Sequence, residues 1–280
     1  LAELTPGSPN KKVYFSQSGA AAVEGAIKAA RLYQYNRVFQ DGGAVDAPSQ
    51  YPYPYKIISR YNSWHGSSSG AASASGDPRR WFQEPLTVPG VVLAPDANPY
   101  RPHFESVEQH LNYLNHIIEQ EGGRNKVAAF LLEPIVGSNG IIVPPDGYME
   151  GVRELCDRWD LLLIVDETMT GMGRTGRFLA IEHWDVEPDI IIMGKALGVY
   201  CPLAATILSE KVAQSFDHHL FGHGQSYSGH ALACSAALAS LEILHEDGLL
   251  DQSAHLGSRL GEQLRTLGQK HPSVGDVRGM

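Results

Sequence analysis

Two short apolar runs, each followed by a residue that can carry charge, constrain this chain more than any other feature. Residues 161–165 are LLLIV and precede Asp166, and residues 190–193 are IIIM and precede Gly194 and Lys195. Uninterrupted apolar runs of this length are typical of buried strands in a parallel sheet, where both faces are covered. Small molecules bind in the crevice at the carboxyl ends of such strands. We therefore expect Asp166 and Lys195 to face one small-molecule site.

The rest of the chain repeats a strand-then-helix pattern, which predicts an α/β fold with a mostly parallel sheet and helices on both faces. Two glycine- and proline-rich stretches, residues 41–54 and 81–101, are predicted to be loops at the surface, and Asp146 is predicted to cap a helix. Further predicted strands are 13–16, 56–60 and 127–135, and predicted helices are 20–39, 104–120, 146–157, 231–245 and 249–267.

Charge and composition narrow the class of function. The chain has 280 residues, 43% of them hydrophobic, and 22 basic against 31 acidic residues give a formal net charge of −9. No run of Lys or Arg occurs, which argues against a nucleic-acid or anionic-membrane partner. No apolar segment approaches the roughly 20 residues of a membrane span. Small-molecule chemistry is the better expectation.

Cysteines and histidines indicate neither a disulfide framework nor a metal site. The three cysteines form no C-x-x-C pair, which fits a reducing cytoplasm. The clustered histidines have no carboxylate or cysteine at ligand spacing, so no metal is expected. These residues are Cys156, Cys201, Cys234, His218, His219 and His223.

Two nucleotide-binding motifs can be set aside. Gly171, Gly173 and Gly176 spell G-x-G-x-x-G, but the dinucleotide motif should open a helix and be followed by a strand that ends on an acid. Here the next strand ends on glycine and lysine. A Walker loop would need glycine at position 189 and a hydroxyl residue at 196, where the chain has Asp189 and Ala196. A lone acid or lysine after a strand is ordinarily a cap or a solvated residue, so the joint spacing carries the argument.

Residues 166–176 (DETMTGMGRTG), the pair Pro188 and Asp189, and Lys195 together resemble the class III pyridoxal-phosphate-dependent aminotransferases. The family separates its aspartate and lysine by the same interval, 195 − 166 = 29. In that family the aspartate pairs with the pyridine nitrogen of pyridoxal 5'-phosphate, and the lysine forms a Schiff base with it. The resemblance therefore gives these roles to Asp166 and Lys195. It also implies a fold-type I transferase fold and cofactor contacts from Thr168 and Met169.

A turn before the first long helix is a candidate phosphate site. Backbone amides and the helix dipole make a helix N-terminus an anion site, although an ordinary helix cap is the alternative. The turn resembles the family's N-S-G-S/T-E-A phosphate-binding sequence, which places the phosphate near Ser18, Gly19 and Ala20. This chain departs from that pattern, because Ala20 lacks a hydroxyl and Ala21 replaces the usual glutamate.

Other segments carry weaker resemblances. Tyr61 to Gly66 resembles the family's aromatic-His-Gly turn, which implies that Trp64 stacks on the pyridine ring beside His65. Glu133 matches the family's E-P motif next to the substrate, with loop pinning as the alternative. Residues 224–230 resemble the loop that reaches the partner subunit's cofactor phosphate, which gives Ser226 that role and implies a homodimer with shared sites; a serine-rich turn is the alternative.

The resemblance implies transfer of an amino group from an ω-amino donor, such as a β-amino acid, taurine or an amine, to a keto acid such as pyruvate. A glutamate-semialdehyde-type aminomutase and a non-catalytic paralogue are the alternatives. The chain has one residue fewer than the family between Lys195 and its Tyr-x-Pro, which either displaces the lysine or reflects an omitted residue. Residues 1–250 are expected to form the large domain and 251–280 to begin a small C-terminal domain, with family segments before Leu1 and after Met280 absent.

Overall fold

The computed structural model describes residues 1–39 and 53–280. Most of the loop predicted at 41–54 therefore lies outside the described residues. The strands are β1 (Lys12–Ser16), β2 (Lys56–Arg60), β3 (Val91–Ala94), β4 (Val127–Leu132), β5 (Leu162–Asp166), β6 (Ile190–Met193) and β7 (Ala204–Leu208). The helices are α1 (Gly19–Phe39), α2 (Ser69–Ala74), α3 (Val107–Gln120), α4 (Tyr148–Trp159), α5 (Glu210–Gln214), α6 (Ala231–Glu246) and α7 (Leu249–Lys270). Short 3₁₀ helices cover Pro78–Leu86, Gly123–Asn125, Ala180–Trp184 and Lys195–Leu197.

All seven strands form one sheet in the order β1-β7-β6-β5-β4-β2-β3. Strands β2 to β6 pair in parallel, whereas β7 is antiparallel to both β6 and β1. The register places Asp166 opposite Ile192, so β5 and β6 end side by side at the same edge of the sheet. The prediction of a mostly parallel α/β sheet is confirmed, and this edge is where the site was expected.

The sheet is buried on both faces, and the strands alternate between two cores. Leu132 and Val165 belong to the core under α3 and α4, whereas Leu131 and Ile164 belong to the core under α1. Successive side chains of a strand point to opposite faces, so an all-apolar strand can supply both cores at once. Each fully buried Leu, Ile or Val contributes about 1.5–3 kcal/mol relative to exposure. The central strands are thus rigid supports for whatever follows their ends.

Two strands, β3 and β7, were not predicted from the sequence. Residues 81–101 were predicted as a surface crossing, but they contain β3 and most of the 3₁₀ helix Pro78–Leu86. β3 has only four residues, between Gly90 and Pro95, and its parallel pairing with β2 supplies the order that so short a run does not encode. β7 was missed for the same reason, since it is defined by pairing with β1 and β6.

Two helix starts differ from the predictions. Asp146 does not cap α4, which begins at Tyr148 after Gly147 in the left-handed region (φ 80°) without a side-chain cap bond. Helix α3 begins at Val107 rather than 104, because the Ser106 hydroxyl accepts a hydrogen bond from the Gln109 amide at 3.2 Å. No helix in the described part of the chain is long and apolar enough to cross a membrane.

Candidate functional site

The carboxyl ends of β5 and β6 open into one pocket of about 180 Å³. Asp166 is the last residue of β5, and Lys195 lies two residues beyond β6. Both line this pocket, as the strand-end argument required. The pocket brings together all but two of the site residues predicted from sequence. Its lining consists of Gly19, Ala20, Trp64, His65, Gly66, Glu133, Ser138, Asp166, Thr168, Met169 and Lys195.

Asp166 is held by a chain of buried hydrogen bonds. Its Oδ2 lies 2.8 Å from Nδ1 of His65, and its Oδ1 accepts the backbone N–H of Thr168 at 3.0 Å. The opposite ring nitrogen of His65, Nε2, lies 3.3 Å from the hydroxyl of Ser59. These contacts fix the orientation of the Asp166 carboxyl group, which lines the pocket.

Lys195 begins a tight turn with an exposed side chain. Its φ is 44°, and Val199 in the same loop has φ 56°, an unfavourable conformation for a β-branched residue. The following Tyr200 is 99% exposed. The loop after Lys195 thus turns through two left-handed residues and leaves the lysine on the pocket wall.

Glycines let three chain segments meet around Thr168. A Cβ at Gly19 would lie 2.9 Å from Thr168 Cγ2, and one at Gly194 would lie 3.1 Å from the same atom. A Cβ at Gly66 would lie 2.5 Å from the Cβ of Ala20. These close approaches bring the N-terminus of α1 to the pocket, where Gly19 and Ala20 line the wall. A helix of 21 residues that begins there favours an anion at its N-terminus.

Trp64 forms another wall and is fixed from behind. Its backbone N–H donates to Oε1 of Glu133 at 2.9 Å, while Oε2 of Glu133 accepts from Gly137 at 3.1 Å. Burial raises the pKa of the Glu133 carboxyl above its usual range. Glu133 both lines the pocket and ties two loops together, so the loop-pinning alternative describes its contacts. The guanidinium carbon of Arg79 lies 3.9 Å from the centre of the Trp64 ring.

Two predicted residues are not brought into the pocket. The Ser18 hydroxyl accepts from the Ala21 amide at 3.2 Å, which makes it a cap of α1. Ser226 is exposed in the segment before α6 and does not line the pocket of its own chain. Its predicted role concerns a second subunit and stays a prediction.

Sequence reasoning assigned no role to three residues near the site. Gly66 and Ser138 line the pocket; Gly66 ends the recognised aromatic-His-Gly turn, and Ser138 lies four residues after the E-P motif. Glu167 is fully buried beside Asp166, where it accepts from the Thr170 hydroxyl and from the Ile181 amide at 2.8 Å. Burial raises the pKa of the Glu167 carboxyl to about 7. An acid immediately after the strand-end aspartate was the signal that could have drawn attention to it.

The residues present fit pyridoxal 5'-phosphate. The hydroxyl of Thr168 is buried and has no hydrogen-bond partner among the described residues, so it is a spare donor on the pocket wall. Beside it lie the amides of the α1 N-terminus, which suit a phosphate. Asp166 supplies a carboxylate for a ring nitrogen, Lys195 supplies an amine, and Trp64 supplies a flat apolar face.

Cysteines and histidines elsewhere form no comparable constellation. The three cysteines are unpaired. Within residues 1–39 and 53–280, no three His, Cys, Asp or Glu side chains are grouped so as to hold a metal ion. Nδ1 of His223 instead lies 3.2 Å from the Lys28 amine.

Comparison with known proteins gives consistent results. The chain is 36% identical over 273 residues to an uncharacterized aminotransferase, YhxA, of Bacillus subtilis strain 168, covering 95% of this chain and 58% of the relative. It is 35% identical over 279 residues to the taurine–pyruvate aminotransferase of Bilophila wadsworthia, covering 96% and 58%. The solved taurine:2-oxoglutarate aminotransferase of Bifidobacterium kashiwanohense, in complex with PLP and glutamate, superimposes with a TM-score of 0.89 at 34% identity, covering 100% of this chain and 60% of that one.

The chain therefore spans somewhat more than half the length of these relatives. The fold-type I architecture and pyridoxal 5'-phosphate as the family's cofactor are both confirmed by these solved and curated relatives. The sequence model of the family described as aminotransferase class-III matches residues 1–280. The chain belongs to the class III aminotransferases.

Proposed function

We propose that this chain carries the cofactor site of an aminotransferase that moves an amino group from an ω-amino donor to a keto acid such as pyruvate. The observation that carries the proposal is that Asp166, Lys195 and the first two residues of α1, Gly19 and Ala20, line one pocket of about 180 Å³. Small-molecule amines and keto acids are the substrates of this family, which agrees with the acidic, non-membrane composition of the chain.

Pyridoxal phosphate, when bound, supplies a ring that accepts the electrons of a substrate C–H bond. Asp166 would hold a proton on the ring nitrogen, and His65 fixes the orientation of Asp166 through its contact at 2.8 Å. The amine of Lys195 takes up and returns the substrate proton. The hydroxyl of Thr168 and the first amides of α1 would hold phosphate oxygens, and Met169 and Trp64 would enclose the ring. Glu133 orients the Trp64 turn by accepting its backbone N–H.

The donor class is proposed as a β-amino acid, taurine or another amine. The support is that two of the similar proteins are named for taurine, with pyruvate or 2-oxoglutarate as the acceptor. An aminomutase of the glutamate-semialdehyde type shares the cofactor chemistry, and it would turn over its substrate without an added keto acid. A non-catalytic paralogue is favoured only by Ala21 and by the short loop after Lys195.

We further propose a homodimer in which Ser226 reaches the phosphate of the partner's cofactor, and a cytoplasmic location, in keeping with the unpaired cysteines. The proposed domain boundary after residue 250 falls in the first turn of α7, so residues 251–280 contain the rest of that helix. Light scattering would test the assembly. A particle of twice 30.5 kDa is expected, and a monomer with full turnover would contradict it.

Reduction with borohydride in the presence of pyridoxal phosphate tests the central proposal. We expect the label on Lys195 after peptide mapping, because Lys195 is the lysine that lines the pocket. Lys126 and Lys211 serve as internal controls. A label on either of these instead, or no label, would refute the assignment. An assay with taurine or an aliphatic amine, with and without pyruvate, then separates the aminotransferase from the aminomutase.

A further inference from the structure

One face of the Trp64 indole is already occupied. The guanidinium carbon of Arg79 is 3.9 Å from the ring centre, which is van der Waals contact with the face and far shorter than an approach from the ring edge allows. Trp64 lines the pocket, whereas Arg79 is not among the lining residues. Because Arg79 covers one face of the indole, the opposite face is the one left for a ligand.

Arg79 is itself fixed by a two-point ion pair. Its Nε donates to Oδ1 of Asp77 at 2.8 Å, and its Nη2 donates to Oδ2 at 2.9 Å. The Asp77 side chain is only 5% exposed, and its Oδ2 also accepts from the Asn139 amide at 2.6 Å. The bond from Arg79 lowers the pKa of the Asp77 carboxyl to about 2, so the pair stays charged across the neutral range. A bidentate fork holds the plane of the guanidinium as well as its charge.

We propose that Arg79 is a positioning residue that holds the Trp64 indole parallel to the cofactor ring, which stacks on the face opposite the guanidinium. The proposal rests on the proposed function, since it takes Trp64 as a wall of the cofactor site. It places three planar groups in a column, with Arg79 outermost and Trp64 in the middle. Arg79 acts through its contact with Trp64 and does not contact the cofactor.

Charge along this column favours the arrangement. A cation on one face of an indole is attracted by the ring, but two cations on opposite faces would oppose each other. Here Asp77 neutralises Arg79, and Asp166 lines the same pocket as Trp64, where it would meet the ring nitrogen of the cofactor. Because Asp77 occupies two donors of the guanidinium fork, Arg79 is suited to packing rather than to capturing a second anion.

Titration of cofactor affinity in single and double variants tests the proposal. Arg79→Ala should weaken cofactor binding about two- to fivefold, the equivalent of an exposed cation–π contact. It should have no further effect in a Trp64→Ala background, because the two residues act through one contact. Arg79→Lys should lose as much as Arg79→Ala, since lysine keeps the charge but lacks the planar face and the fork. Arg124→Ala, which removes the same charge from an exposed turn, is the matched control and should bind like the wild type.

Circular dichroism of the bound cofactor gives a second readout. A ring stacked on a fixed indole has an induced signal, which Arg79→Ala and Arg79→Lys should reduce at full occupancy, whereas Arg124→Ala should not. If Trp64→Ala weakens binding while both Arg79 variants match Arg124→Ala in affinity and signal, the positioning role is overturned and the proposed function stands. If the wild type takes no borohydride label at Lys195, the proposed function fails and this inference fails with it.

Discussion

Asp166 and Glu167 are adjacent carboxylic acids with nearly the same burial, at 3% and 1% exposed. Their side chains nevertheless point to opposite sides of the strand and contact different groups. Asp166 faces the pocket and meets the ring of His65 at 2.8 Å. Glu167 faces away, towards the hydroxyl of Thr170 and the backbone of the 3₁₀ helix Ala180–Trp184. The Thr170 hydroxyl and the Ile181 amide that donate to Glu167 are neutral, and burial raises the pKa of its carboxyl to about 7.

The difference follows from the alternation of a strand. The backbone N–H of Glu167 still donates to Ile192 of β6 at 2.8 Å, so the two-residue period continues past the end of β5. Asp166 and Thr168 consequently point into the pocket and Glu167 points to the other side. Asp166 lines the site, whereas Glu167 ties the end of β5 to the loop residue Thr170 and to the Ala180–Trp184 helix. Burial alone therefore does not identify a catalytic acid.

The largest effect is expected from Asp166→Asn. An amide cannot hold a proton on the ring nitrogen, so amino transfer should slow by about 10²- to 10³-fold, as when one stabilising charge is removed from an active site. The measurement is the rate of the first half-reaction at saturating cofactor. Glu167→Gln makes the same chemical change one residue later and should keep most of the activity. Equal losses from the two variants would remove the distinction between the two carboxyls.

The second prediction concerns pH and Glu167. The unfolded chain loses this proton near the ordinary value of 4.5, whereas the folded chain keeps it up to about 7. Between these values the folded state binds more protons, so stability falls as pH rises, by about 3 kcal/mol in total. Glu167→Gln has no proton to lose there and should lack this slope.

Urea unfolding of both proteins from about pH 5 to about pH 8 checks this, with the difference between them as the measured quantity. Taking the difference matters because buried His110, whose pKa burial lowers to about 4, gives a slope of opposite sign in the acid half of the range. That contribution is common to both proteins and cancels. Parallel stability curves for wild type and Glu167→Gln would show that Glu167 is ionised throughout.

The smallest of these three effects is expected from Thr168→Val, which tests whether the side-chain alternation after β5 continues from Asp166 and Glu167 to Thr168. The Thr168 hydroxyl is a buried donor without a partner among the described residues. Its removal should cost roughly tenfold in cofactor affinity, the value of one hydrogen bond to a charged group, and should not destabilise the cofactor-free protein. Thr168→Ser keeps the hydroxyl and is the control. Loss of stability without loss of affinity would place the hydroxyl in the scaffold.

The sequence was sufficient to predict that Asp166 faces a site, but not to predict the role of Glu167 on the opposite side of the strand. Asp166 and Lys195 were predicted because each follows an apolar run, and parallel strands end at a common edge. The role of Glu167 depends on Ile181, which is brought to it by the fold of an irregular segment that has no periodicity. The contact of Arg79 with Trp64 was not predicted for the same reason. Contacts set by strand position are encoded locally, whereas contacts between loops are not.

The same limit explains the errors in the fold. β3 and β7 are short strands whose identity comes from their neighbours, and Asp146 looked like a cap although Gly147 turns the chain into α4. The central apolar strands β4, β5 and β6 were predicted although β6 has only four residues, and the five longest helices were predicted as helices. The two strands that were missed are similar in length and are recognisable only through pairing with partners distant in sequence.

The place of β7 between β1 and β6 has a consequence for how the protein folds. β1 pairs only with β7, in a register that places Lys12 opposite Leu208. Helix α1 follows β1 directly in sequence and packs on β6 and β7. Pairings this distant in sequence slow folding, because a long loop must close before they form. On the ribosome α1, which ends at Phe39, is made well before β6 and β7, which begin at Ile190 and Ala204. Until then part of its apolar face has no strand to cover it, so chaperone binding to the nascent segment that carries α1 is a direct expectation of the strand order.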